Sequence, residues 1–395
     1  MAFEQYATAL AALPAKPERD AREQAEAERI LAAWHAERDA FLARHVRELY
    51  VEGLRADALV YAVAERVPGL APRREDTEIG IAQKDKDGHE IAQGLLLGHV
   101  LADPECGRDL IATMQRPTAL ALEQRAAFER DGTLDLGTAR VTRDGKVGVV
   151  ELRNPRHLNA EDDTTLGPFE AAIDLVLLDP EIELGVLRGG VVEHPRYAGR
   201  RIFGAGLNLT HLYRGRISYL FFPVRDLGLV HKVYRGHPDG EKLWIAAAET
   251  YAIGGACQLL LTADRILAER GCRCTLPARN EGIIPGAANL RLPRFVGDRR
   301  ARQAILADAE LAPEELADEI VEDMDAAIAR AAATLTSAGA VSGVANRRAL
   351  RIAQEPLDLF REYMAAYCRD QAYCHFSPAL IRNLEANWRA HERQG

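Results

Sequence analysis

Ala248-Glu-Thr-Tyr-Ala-Ile-Gly-Gly-Ala-Cys-Gln258 follows directly on the apolar run Leu243-Trp-Ile-Ala-Ala-Ala248 and leads into a stretch with helical character. A strand that ends in two glycines and opens a helix brings backbone close to any ligand at that junction. The helix start also presents unpaired N–H groups and the positive end of the helix dipole. Phe203-Gly-Ala-Gly-Leu-Asn208 has the same character: it follows an extended stretch and precedes a helix-like segment. Two such segments whose donors converge on one carbonyl oxygen would stabilise a developing enolate or tetrahedral oxyanion.

Working outward from these segments, Asp144-Gly145 separates Thr138-Ala-Arg-Val-Thr-Arg143 from Lys146-Val-Gly-Val-Val-Glu-Leu152. Asp-Gly between two apolar-alternating runs predicts a hairpin. Beyond it, strands are expected at residues 184–187, 243–247, 265–268 and 273–276, with helices at 164–178, 217–234 and 255–262 between them. That alternation predicts an α/β fold of repeated right-handed crossover units. Residues 1–135 give only helical periodicity, with Leu31, Trp34, Phe41, Leu42, Val46 and Leu49 on one face. The charged clusters Arg73-Arg-Glu-Asp76 and Lys84-Asp-Lys-Asp87 are expected in exposed loops. After Asp298 helices return, at 301–307, 313–335, 345–353 and 357–374. Three regions follow: a helical N-terminal region (1–135), an α/β core (136–310) and a helical C-terminal segment (311–395).

The 395 residues carry a formal net charge of -9, which argues against nucleic acid as the principal partner. No apolar run reaches the roughly 20 residues that span a bilayer. Residues 1–10 lack the basic and apolar regions of a signal peptide. The six cysteines lack the spacing of a disulfide framework, so a cytoplasmic address is expected.

Arg153-Asn-Pro-Arg-His-Leu-Asn-Ala160, the two glycine segments, Ala263-Asp264, Ile284-Pro-Gly286 and Arg291-Leu-Pro-Arg-Phe-Val-Gly297 resemble, in order and spacing, the motifs of the crotonase (enoyl-CoA hydratase/isomerase) superfamily. The resemblance covers residues 137–310. It implies a ββα spiral core, a homo-oligomer (trimer or dimer of trimers) and an acyl-CoA substrate. It places the oxyanion donors at the N–H groups of Leu207 and Gly255. Two acids of the hydratases are missing: Gln258 stands for one glutamate and Ala278 for the other. Neither side chain transfers a proton, so hydration by two carboxylates is not expected.

Leu158-Asn-Ala-Glu161, Gly254-Gly-Ala-Cys-Gln258, Asn346-Arg-Arg348 and Glu281-Gly-Ile-Ile-Pro-Gly-Ala-Ala-Asn-Leu-Arg-Leu292 narrow the likeness. They are similar to the branch of cofactor-independent dioxygenases that act on 3,5-dihydroxyphenylacetyl-CoA, and this likeness extends over nearly the whole chain. It implies a reaction with O2 that releases CoA and 3,5-dihydroxyphenylglyoxylate, a precursor of dihydroxyphenylglycine in antibiotics, without metal, flavin or haem. On this resemblance Glu161 and Gln258 line the acyl pocket near the reacting carbon, and His194 and Arg225 contact the dihydroxyphenyl ring. Gly254, Ile283 and Ile284 are expected to adjoin the acyl group, and from their composition alone the isoleucines and neighbouring alanines are expected to supply an apolar pocket for O2. Arg153, Arg156, His157, Arg200, Arg201, Phe203, Ala205 and Gly206 fall to the CoA moiety. Leu207 replaces the isoleucine of that branch, and residues 233–242 form a shorter stretch than is usual there.

Other readings stay open in the sequence. Glu161 also suits the cap of a helix starting near Asp162, the lesser of its two readings, and Glu281, three residues from the vacated acid position, reads as structural. His35-Ala-Glu37 and His237-Pro-Asp239 have metal-ligand spacing but lie outside the glycine motifs. Cys272 and Cys274 read as buried thiols. An acyl-CoA hydrolase, an isomerase or lyase, and a non-catalytic CoA-binding scaffold are the alternative functions.

Overall fold

The computed structural model describes residues 3–238, 240–336 and 339–393. Nine strands are described: β1 (Thr133–Asp135), β2 (Ala139–Asp144), β3 (Val147–Leu152), β4 (Leu184–Gly189), β5 (Leu243–Ala248), β6 (Tyr251–Ile253), β7 (Arg265–Glu269), β8 (Arg273–Thr275) and β9 (Glu319–Val321). The main sheet has the order β1-β2-β3-β4-β5-β7-β9. Its first two pairings are antiparallel and the rest parallel. The β2–β3 hairpin turns at Asp144-Gly145, where Gly145 has φ +55°. β6 and β8 form a second, parallel pair. β5, every residue of which is buried, has the unbroken apolar sequence of a strand covered on both faces. Beside it, a Cβ at Gly185 would lie 2.3 Å from the Trp244 ring, so only glycine lets these neighbours pack.

Successive strand, strand, helix units thus build a ββα spiral, with the glycine junction at the end of β6. The helix Asp163–Leu178 that crosses from β3 to β4 starts on a capping box, Asp162 accepting from the Thr164 N–H and the Thr165 hydroxyl bonding back. Asp162, not Glu161, is therefore the cap.

The helices outside the spiral pack on it as a layer. Ile91–Ala102 lies against Leu357–His375, and a Cβ at Gly94 would come within 2.6 Å of the Cys368 carbonyl. A buried ionic cluster joins this layer to the core: Lys232 Nζ lies 2.8 Å from Glu170 and 2.7 Å from Asp174, while Arg55 bonds Glu170 at 2.7 Å. No described helix is long and apolar enough to cross a membrane.

Four expectations are corrected. Residues 313–335 are not one helix: a 3₁₀ turn at Pro313–Glu315 precedes β9, and the helix Met324–Leu335 follows. The Glu-Ile-Val run of β9 adds to the sheet edge beside β7, a tertiary pairing that overrides helical propensity. The helical N-terminal region ends in a strand, β1, which pairs with β2. Lys84-Asp-Lys-Asp87 is not simply an exposed loop, because Lys86 is buried and Asp87 pairs with Arg19 at 2.6 Å. The expected helix at 217–234 consists of Phe221–Arg225, a π turn at Asp226–Val230, and His231–Arg235. π turns inside helices are frequent at functional sites.

Candidate active site

The segment bearing Leu207 is held on both sides by backbone bonds. On one side Phe203 N–H donates to Glu249 O at 3.0 Å, Gly204 N–H to Tyr251 O at 3.1 Å, and Ile253 N–H to Gly204 O at 3.0 Å. On the other, Glu161 N–H donates to Gly206 O at 2.7 Å and Asn208 N–H to Glu161 O at 2.8 Å. This alternation skips Leu207, whose N–H finds no acceptor among the described residues. Gly255 is the first residue of the helix Gly255–Leu260, and its N–H is likewise unclaimed among them. Gly206, at φ +78°, lets the two segments meet: a Cβ there would sit 2.7 Å from Ile253 O and 3.3 Å from Gly255 N. Two main-chain donors without an acceptor among the described residues are thereby brought close together.

Beside them lies a small chamber of about 40 Å³. Its wall includes Glu161, Leu207, Gly254, Gly255, Gln258, Ile283 and Ile284, as the sequence led one to expect, and Arg225. Arg225 is buried and holds the wall together. Its guanidinium grips Glu161 with two bonds, 2.6 and 2.8 Å, and donates to Gln258 Oε1 at 2.9 Å, Gly255 O at 2.8 Å and Asp226 at 3.2 Å. A bidentate pair of this kind fixes both partners in orientation. Although burial opposes its charge, Glu161 and Asp226 raise the Arg225 pKa above the ordinary range, so it stays a cation. Burial pushes the Asp226 carboxyl up, against the pull of Arg225 and Arg291.

The helix Leu357–His375 contributes to the chamber wall. Tyr367 lines it, Gln371 accepts from the Ile284 N–H at 2.8 Å, and the Tyr363 hydroxyl donates to Gly286 O. Sequence reasoning missed Tyr367, Asp226, Phe221 and Phe222. Asp226 had a signal, as the neighbour of Arg225 on a helix; Tyr367 arrives from a distant helix and had none.

A second, larger cavity opens to solvent beside the first. Arg156, His157 and Ala205 line it, together with His194, Arg196, Tyr197, Arg273, Trp388 and Arg393. His194 is thus in the outer cavity and does not share a wall with Arg225. Arg153 and Arg201 line neither cavity. Arg153 pairs with Asp135, and Arg201 bonds Glu151 and, at 3.0 Å, Gly189 O. Arg200 faces Glu269 at 3.4 Å. Phe203 is packed in the core. Gly206 lines neither cavity and sits where the segments of Leu207 and Gly255 meet.

The possible metal ligands lie elsewhere. His35 contacts Arg38 at 3.2 Å and Glu37 accepts from the Tyr6 hydroxyl at 2.7 Å; Asp239 lies outside the described residues. Glu78, Asp87 and His89 cluster in the helical layer, but Glu78 accepts backbone bonds from Gly88 and His89 at 2.7 and 2.8 Å, and none of the three lines the chamber. Cys257, Cys272 and Cys274 are buried free thiols.

The ββα spiral defines the class of fold, and the likeness to known proteins agrees with it. The enoyl-CoA hydratase/isomerase family matches residues 142–333. Among solved structures, an enoyl-CoA hydratase from Mycobacterium avium subsp. paratuberculosis K-10 superposes with a TM-score of 0.54 at 21% identity, over 64% of this chain and 100% of that one. A carnitinyl-CoA hydratase from Mycobacterium avium gives 0.54 at 22% identity, over 66% and 98%; these two share the fold. The chain is 42% identical to the (3,5-dihydroxyphenyl)acetyl-CoA 1,2-dioxygenase of Amycolatopsis orientalis, over 91% of this chain and 88% of that protein. It therefore belongs to the enoyl-CoA hydratase/isomerase superfamily and, within it, to the family of that dioxygenase.

Proposed function

We propose that this chain converts 3,5-dihydroxyphenylacetyl-CoA and O2 into 3,5-dihydroxyphenylglyoxylate and CoA without a metal or organic cofactor. The observation that carries the reading is the pair of unclaimed N–H groups, Leu207 and Gly255, above a chamber that has glutamine and alanine at the two hydratase acid positions. Support comes from the 42% identity along most of the chain to a dioxygenase of that substrate.

In this reading CoA lies in the outer cavity, with its phosphates near Arg156 and Arg196, and the acyl group enters the chamber. The thioester oxygen sits between Leu207 and Gly255. One such donor contributes about 3–4 kcal/mol to a developing oxyanion, and the aryl ring further acidifies the α-carbon. The enolate gives one electron to O2, and recombination forms a C–O bond and an α-peroxide. The outer peroxide oxygen attacks the thioester carbonyl and expels CoA thiolate. Cleavage of the O–O bond, with loss of the second α-hydrogen as a proton, leaves the ketone and the carboxylate. The α-carbon loses four electrons and O2 gains four. Glu161 and Gln258, oriented by Arg225, meet the ring hydroxyls, and Ile283 and Ile284 border the space for O2. A homo-oligomer in the cytoplasm is the setting the family resemblance implies.

The test is to incubate chelator-treated protein with 3,5-dihydroxyphenylacetyl-CoA and follow O2 and free thiol together. Equal consumption and release are expected. Thiol without O2 uptake would make the protein a hydrolase, and neither signal would leave a binding scaffold.

A further inference from the structure

The inner chamber and the outer cavity share two lining residues among those described, Leu207 and Glu281. A CoA thioester that spans both must place its carbonyl and α-carbon at this boundary, because the acyl group is on one side and the pantetheine on the other. Leu207 supplies an oxyanion donor there. Glu281 is the acid at the same place.

The remaining chamber groups are committed. Glu161 is held by Arg225, Asp226 contacts Arg225 and Tyr367, and Gln258 accepts from Arg225. A glutamine amide does not take a proton, and the guanidinium stays charged. Glu281 alone among the chamber's carboxylates has neither a hydrogen bond nor an ion pair among the described residues. It ends the short helix Ala278–Glu281, and Ala278, one turn earlier, lines the chamber too, so both face it. That helix is clamped from outside by Pro378–Trp388: Asn387 donates to Asn280 O at 2.8 Å and Asn383 to Arg279 O at 3.3 Å. The carboxylate is thus carried on a fixed support.

We infer that Glu281 is the general base that removes the α-proton of the bound thioester. The inference rests on the thioester reading above. The C–H electron pair passes to the oxygen held by Leu207 and Gly255, and the proton to a Glu281 oxygen. When the peroxide expels CoA thiolate, the carboxyl returns that proton to sulfur. It is then ionised again for the second α-proton, which finally leaves to solvent. The site's electrostatics suit the role: burial, and secondarily Asp308, raise the Glu281 pKa to about 7. Asp308 itself is 3.3 Å from Arg279. Glu161, Arg225 and Asp226 face Glu281 across the chamber, and Arg273 and Arg393 line the outer side.

The experiment is hydrogen exchange at the α-carbon of 3,5-dihydroxyphenylacetyl-CoA in D2O without O2, followed by mass spectrometry. Wild-type protein is expected to incorporate deuterium at a rate that climbs with pH through about 7 and then levels. Glu281→Gln should exchange about 100-fold more slowly or worse, while keeping a melting temperature at pH 6 no lower than that of the wild type and still binding CoA. Exchange within threefold of wild type in the folded variant would overturn the inference. So would a wild-type rate that is flat from pH 5 to 9, a measurement that needs no variant. Because O2 is absent, the two readings fail separately. Exchange without later O2 uptake ends the dioxygenase reading alone, whereas O2 uptake with wild-type exchange in Glu281→Gln ends this one alone.

Discussion

In the inner chamber one guanidinium ties together two carboxylates, an amide and a carbonyl, whereas in the outer cavity Arg273 is bonded to Glu310 at 2.8 Å but Arg156, Arg196 and Arg393 are loosely held. Arg196 has no carboxylate partner among the described residues, and Arg156 reaches Glu193 only at 4.0 Å. Arg393 leans on the Trp388 ring, 3.6 Å from its centroid. The contrast matches two tasks. A reacting centre needs dipoles already fixed where charge develops, while a phosphate-bearing handle needs cations that remain free to meet it.

The largest effect is expected where the inner region is broken outright. Arg225→Leu leaves Glu161 buried without its cation, and removal of one partner from a buried pair costs about 3–5 kcal/mol. Urea unfolding should register that loss, with turnover abolished; a variant as stable as wild type would show that the pair is not what holds the chamber. Next comes Gly255→Ala, whose Cβ would lie 2.6 Å from Glu161 Oε1. Displacing the pair beside the hole should lower kcat by about 100- to 1000-fold, the cost of one lost oxyanion donor, with KM little changed. An equal rise in KM and no fall in kcat would mean that the hole does not act on the transition state.

The outer region should respond differently. Arg196→Ala and Arg156→Ala are expected to raise KM for the CoA ester about tenfold at low salt, less at 0.5 M, with kcat retained. Arg153→Ala and Arg201→Ala serve as the contrast, since both side chains are spent on carboxylates away from the cavity; steady-state kinetics should show less than a twofold change. Reversal of that pattern would relocate the CoA site.

A smaller, pH-linked effect sharpens the boundary between the regions. The Glu281 carboxyl has its pKa raised from 4.5 to about 7 in the fold, so between those values the native state binds more protons than the unfolded chain. Stability contributed by this group is therefore complete below 4.5 and declines as pH rises towards 7. Unfolding curves at pH 5 and 7.5 should show the decline in wild type and its absence in Glu281→Gln.

The glycine junctions and the spiral were legible because both are local: glycines at strand-to-helix junctions, and a hairpin marked by Asp144-Gly145. Glu161, Gln258, Arg225, Ile283 and Ile284 were found through motif order, and the structure gathers all five around one chamber. His194, Arg153 and Arg201 show the limit of that route. A surface arginine near a motif has the same appearance in sequence whether it faces a ligand or a neighbouring carboxylate, and only the fold brings Asp135 and Glu151 beside Arg153 and Arg201. Glu281 was passed over for a related reason. Aligned to the hydratases it is three residues out of place, yet three residues on a helix is nearly one turn, which preserves the face. β9 escaped because its pairing with β7 joins residues 52 apart, Leu267 and Glu319.

The central claim is that Leu207 and Gly255 together hold the thioester oxygen. A crystal structure with an unreactive thioester analogue in place measures this directly. The account predicts the carbonyl oxygen within about 3 Å of both nitrogens, with the aryl group in the chamber and pantetheine in the outer cavity. An oxygen seated away from either nitrogen would contradict it.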